Sequence, residues 1–192
     1  MPISTLYRLG ALAGLLSGFF MILGRILARL PNTQSGEIID WFAPTFALFF
    51  AIFLYLGQRR ESGVFGGVAF IVLFAGLIVV VCLDFYGAFM RIYLPADVIT
   101  LIEEGPSAPV FVVGLLTFLI GELLFGISVI RAGVYSKIAA IMFMAGLIPV
   151  ALHPTGIFPE SIVDLGAAAA GVGLIWWSVE LYRLADTKLE LA

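Results

Sequence analysis

Long apolar runs separated by short clusters of charged or helix-breaking residues dominate this chain. Six of the runs are long enough for a helix to cross about 30 Å of hydrocarbon. The first, Leu6–Leu30, stops at Pro31 and the polar stretch Asn32-Thr33-Gln34-Ser35-Gly36. The second, Ile38–Leu56, carries Pro44 near its start, where a proline costs a helix little. Gln58-Arg59-Arg60-Glu61-Ser62 then reads as a tight charged turn. The third run begins at Gly63 and stays largely apolar to Pro95, too long for one untilted crossing. It therefore tilts, or it projects with Tyr86, Arg91 and Tyr93 at its wet end. In Ala96–Glu104 the spacing of Val98, Leu101 and Ile102 predicts a short helix lying on the surface. The remaining runs are Ala108–Ile130, Val134–Leu152 and Ser161–Tyr182, the last preceded by the turn His153-Pro154-Thr155-Gly156 and by Pro159, which suits a first helical turn. The prediction is an all-α, polytopic helical bundle in which residues 1–192 form one transmembrane domain of six spans.

Within the first run, Gly10, Gly14 and Gly18 fall four apart, and Arg25 and Arg29 continue the same helical face. Small residues let helices approach closely, so this stripe predicts a packing seam. The run Gly166–Gly173, which contains Gly171, predicts a second such seam or the wall of a cavity.

Composition strengthens the membrane reading. Hydrophobic residues make up 62% of the chain, charged residues 12%, and the mean hydropathy is +1.14. A soluble domain would carry about 25% charged residues. Arg8 precedes the first run as in a signal peptide, but the run's length and its two arginines suit a retained span. The net charge of −3 names no partner, and with no basic run nothing suggests nucleic acid, which is not expected as a partner. With six spans, Arg8, Arg59, Arg60, Arg131, Lys137, Arg183 and Lys188 gather on the side of both termini. Arg25, Arg29 and Arg91 lie on the other side, among most of the acids. The excess of cations places both termini in the cytoplasm. Trp41 and the pair Trp176-Trp177 fit aromatic belts at the two interfaces.

Polar residues inside the runs are the candidate site. Counting 1.5 Å per residue from the outer ends puts Arg25 about 8 Å deep and Asp84 about 12 Å deep. Arg25–Asp84 is therefore the expected buried ion pair. Arg29 and Arg91 are shallower and are expected to snorkel to the headgroups. Glu122 lies about 21 Å from the outer end of its run, level with Ser17 and away from any arginine. A carboxyl there must be uncharged, hydrogen-bonded or wetted by a cavity, and it is either a proton or cation site or a helix-to-helix contact. Asp164 completes the set of candidate ligand-binding or ion-pairing residues.

His153 is the only histidine, so bis-histidine haem ligation within one chain is excluded. The two lysines, Lys137 and Lys188, lie in a turn and the tail, which argues against a retinal Schiff base. His153, Glu160 and Asp164 form a weak candidate metal set at the outer interface. Cys82 stands alone in an apolar run and reads as a buried small hydrophobe. The phosphate-cradling loop, the G-x-S-x-G elbow and H-E-x-x-H are all absent from the sequence.

The hairpin marked by Gly114-Leu115-Leu116, Gly121, Gly126, Arg131-Ala132-Gly133, Lys137 and Ala145-Gly146 resembles uncharacterised bacterial multi-pass membrane proteins of a domain-of-unknown-function type. The resemblance implies a helical bundle in a bacterial inner membrane and carries no activity to transfer. Three functions follow as expectations. The first is a non-catalytic accessory subunit or helix-packing scaffold, with membrane lipids, further copies of the chain or a larger complex as partners. The second is a small-solute or proton-linked ion carrier or receptor, with an outward cavity lined by Arg25, Arg29, Asp84, Arg91, Glu122 and Asp164. The third is an interfacial enzyme acting on lipid or quinone through His153, Glu160 and Asp164, which requires those three within reach.

Overall fold

The computed structural model describes residues 3–30 and 33–190, and no strand occurs among them. Helix α1 covers Ile3–Ala28 and α2 covers Thr33–Phe85. A π-helical turn (Tyr86–Met90) and a 3-10 turn (Arg91–Tyr93) lead into α3, Ala96–Glu104. Then come α4 (Ala108–Ala132), α5 (Lys137–Ala151) and α6 (Glu160–Glu190). Pro31 and Asn32, expected to close the first run, lie outside the described residues, and Thr33–Gly36 already belong to α2. The side chain of Lys188 also lies outside them. Four helical stretches are long and apolar enough to cross a membrane, while α5 is shorter, at 15 residues.

The longest stretch is not one rod. Gly63 has φ 56° and ψ −150°, a conformation that only glycine adopts at low cost. There α2 folds back on itself. The rings of Tyr55 and Phe70 stack 4.7 Å apart across the bend, and Trp41 meets Phe85 at 6.0 Å. On a straight helix Trp41 and Phe85 would stand about 66 Å apart. The expected charged turn at Gln58–Ser62 is instead helical, and a single residue makes the reversal. Since no side chain crowds this position, Gly63→Ala tests backbone strain alone. The expected cost is about 1–3 kcal/mol, read as a lower unfolding midpoint in SDS titration.

The two arms of α2 (33–62 and 64–85) and helices α1, α4, α5 and α6 close into a ring. The first arm packs on α1, where a Cβ on Gly10 would meet Phe53 and one on Gly14 would meet Phe50. The second arm packs on α4, with Gly76 against the backbone of Phe118 and Gly121 against that of Leu73. Helix α4 meets α5 where Gly126 faces Met144. Helix α5 meets α6 through Gly146 and Gly166, whose backbones touch. Gly18 and Gly171 close the ring between α1 and α6. Ser136 ties the start of α5 to α6: its N–H donates to Glu180 at 2.8 Å, and its carbonyl accepts from the Trp177 indole at 3.2 Å. Arg8 bonded to Asp186 at 2.7 Å brings the start of α1 and the end of α6 to one end of the bundle.

Two burial expectations are corrected. Cys82 is exposed, because the second arm turns residue 82 outward. Trp177 is no belt residue: at 1% exposure it is in the core, whereas Trp176 is 42% exposed. Adjacent residues on a helix point about 100° apart, so one ring is inside and the next outside.

Candidate functional site

The centre of the ring is a cavity of about 690 Å³, a size typical of small-molecule sites. Every rod contributes to its wall: Met21 from α1, Ala51 and Leu77 from the two arms of α2, Phe118 from α4, Leu147 from α5 and Leu174 from α6. Toward the end that carries the termini the floor is aromatic, made by Phe125, Phe143 and Trp177, with Phe143 and Trp177 rings 5.2 Å apart. At the opposite end the rim is polar, formed by Arg25, Asp40, Asp84, Tyr86, Glu103 and His153. Apolar walls with a few convergent polar groups favour a ligand with an apolar body and one polar end.

Ion pairs brace this rim. Arg25 lies 3.9 Å from Asp40, so the expected pair with Asp84 does not form. The reason is local packing: Gly24 lets α1 approach the backbone of Asp40 itself, which makes residues 25 and 40 neighbours. Arg29 does not snorkel freely. Its Nε donates to Asp164 at 2.9 Å, its Nη2 also bonds Asp164, and Nη2 lies 3.5 Å from Glu160. Arg91 likewise donates from Nε to Glu103 on α3 at 2.9 Å, and the Tyr86 hydroxyl donates to the same carboxylate at 3.3 Å. His153 Nε2 sits 2.9 Å from Glu160. A chain of contacts thus runs from His153 through Glu160 and Arg29 to Asp164, joining the α5–α6 turn, α1 and α6. The three residues considered for metal do come together, but Asp164 is turned to the arginine. No group of three His, Cys, Asp or Glu side chains among the described residues could hold a metal ion.

Asp84 is the exception on the rim. It lies within electrostatic range of Asp40 and Arg25, yet no hydrogen bond or ion pair reaches its carboxylate among the described residues. Of the proposed cavity residues, Arg25 and Asp84 line the wall, while Arg29, Arg91, Asp164 and Glu122 do not. Glu122 is 0% exposed, and neither carboxyl oxygen has a partner among the described residues. The Ser17 hydroxyl, level with it by depth, donates instead to the Ala43 carbonyl at 2.8 Å.

Two features were beyond sequence reasoning. The first is Asp40, which lies two residues into the second run, about 3 Å deep against about 8 Å for Arg25, so depth gave no sign of their pairing. The second is a buried polar layer near the other end, formed by Gln58, Ser62, Ser128 and Tyr135, whose side-chain polar atoms have no partners among the described residues. The hydroxyls of Ser62 and Ser128 both approach Gly66, and that of Tyr135 approaches Gly57. The one legible signal was the i, i+4 spacing of Gln58 and Ser62, which puts both on one helix face. No family model, curated protein or solved structure matches the chain.

Proposed function

We propose that this chain is a non-catalytic integral membrane protein that holds an amphiphilic small molecule in its central cavity. The observation that carries the reading is the cavity itself, to which every rod of the ring contributes, with aromatic walls and a polar rim at one end only. The reversal at Gly63 supports six spans, since it splits one long stretch into two antiparallel arms, each longer than the ~20 residues a crossing needs. Helix α5, with 15 residues, reaches only about 22 Å, and local bilayer thinning with flanking residues covers the remainder. Cations gathered at the end with the termini support a cytoplasmic location for that end, which opens the cavity to the outside. A bacterial inner membrane is the compartment implied by the α4–α5 resemblance. Arg25, Arg29 and Arg91 are engaged by acids, so the walls rather than the cations argue for what enters.

The test uses Trp177 as a reporter. The variant Trp41→Phe/Trp176→Phe leaves it as the only tryptophan. In lipid nanodiscs, 12-bromododecan-1-ol should quench this emission saturably, and Ala51→Phe, which fills part of the cavity, should weaken the quenching at least tenfold. Native mass spectrometry after gentle extraction should show a small molecule bound one to one. Quenching that rises only in proportion to the membrane concentration of the probe, unaffected by Ala51→Phe, overturns the reading.

A further inference from the structure

The geometry points to a lipophilic cation as the ligand of this cavity, an assignment that rests on the binding function proposed above. Charge accounting around the rim carries it. Arg25 and Asp40 neutralise one another at 3.9 Å, and Glu103 is matched by Arg91 at 2.9 Å. His153 is bonded to Glu160 at 2.9 Å. What remains facing the cavity is the carboxylate of Asp84, the single acid on the rim without a hydrogen bond or ion pair among the described residues. A carboxylate that no hydrogen bond or ion pair holds is costly in an apolar setting, and a cation entering the cavity relieves that cost.

The walls favour the same charge. Phe50, Phe111, Phe118, Phe125, Phe143 and Trp177 all line the cavity, and ring faces attract cations through their quadrupole. Among the described residues two basic side chains line the wall, Arg25 and His153, and each already faces an acid, Asp40 and Glu160. A delocalised cation carrying aromatic or aliphatic groups is cheap to desolvate, can contact the rings with its body and can direct its charge at Asp84. An anion of equal size would meet Asp84 and the negative ring faces, with only an arginine and a histidine already engaged by acids in its favour.

Tetraphenylphosphonium and tetraphenylborate share one shape and differ in sign, so they isolate the charge term. In nanodiscs holding the single-tryptophan protein, tetraphenylphosphonium should quench or shift Trp177 emission saturably, and tetraphenylborate should bind at least tenfold more weakly. Asp84→Asn should weaken the phosphonium at least tenfold, and Asp84→Glu should restore most of the affinity. Retained quenching by 12-bromododecan-1-ol in Asp84→Asn shows that the cavity is intact. Equal binding of the two ions, or an Asp84→Asn affinity within twofold of the parent, overturns the assignment. If the bromoalcohol binds and the phosphonium does not, cation selectivity falls while the cavity reading stands. If neither binds, both fall.

Discussion

Gly18→Leu is expected to pry α1 from α6 and lower stability by more than about 3 kcal/mol, at or beyond the upper end of ordinary overpacking. A Cβ at Gly18 would collide with the carbonyl oxygen of Gly171 and crowd Ile175, while one at Gly171 would come within 2.8 Å of the Gly18 carbonyl oxygen. Backbone cannot rotate out of the way as a side-chain end can, so relief requires the two helices to part. The separation would open the ring, because this contact closes it. A steep fall in the SDS unfolding midpoint should accompany loss of saturable Trp177 quenching. The matched control is Gly87→Ala, whose new Cβ meets nothing within 4 Å and should leave both readouts unchanged. Normal stability of Gly18→Leu would mean that α1 and α6 do not approach as closely as their backbones indicate.

The second large effect has the opposite sign. Glu122→Met should stabilise the protein by about 2–6 kcal/mol, since it removes two buried polar atoms, each costing about 1–3 kcal/mol when left unpartnered. Methionine is close in length to glutamate and adapts to irregular space. Because Glu122 does not line the cavity, amphiphile binding should be unchanged. The check is a higher unfolding midpoint together with an unaltered quenching curve. A drop in stability would show that the carboxyl is satisfied in solution by bound water or by a proton-sharing partner, and a loss of binding would connect it to the site. Glu122→Lys, which puts an unpaired cation in the same place, should be strongly destabilising.

Several elements could be read directly from the chain. The short helix Ala96–Glu104 and the start of α4 at Ala108 fall where the apolar pattern put them. The class of fold follows in the same way, because an apolar run of about 20 residues says what the segment is without reference to any neighbour. Turns were less legible. Gln58–Ser62 carries every mark of a surface loop, yet it is helical, and Gln58 is 0% exposed. A local polar pattern cannot reveal that the second arm returns to cover that face.

The site was legible only in outline. Depth counting brought Arg25 and Asp84 to the same end of the bundle, and there they line one cavity. It chose Asp84 as the partner of Arg25 where the structure has Asp40, because depth gives height along the helix axes and nothing about azimuth. Depth also gave no sign of the acids that meet Arg29 and Arg91: Asp164 reaches Arg29 from α6, far along the chain, and Glu103 reaches Arg91 from the adjoining helix α3.

By itself, then, the amino-acid sequence determined an all-helical chain of long apolar segments, the glycine positions where backbones could meet, and the end at which charged groups collect. All of these are properties of single segments, set by run length, small-residue spacing and charge order. Tertiary structure alone decided that the rods close into a ring, that Gly18 meets Gly171, and that the arginines are matched while Asp84 is not. Those outcomes depend on which face of each helix turns inward and on which helix stands beside it. A difference of one residue rotates a side chain by about 100°, enough to move Trp177 into the core and leave Trp176 outside.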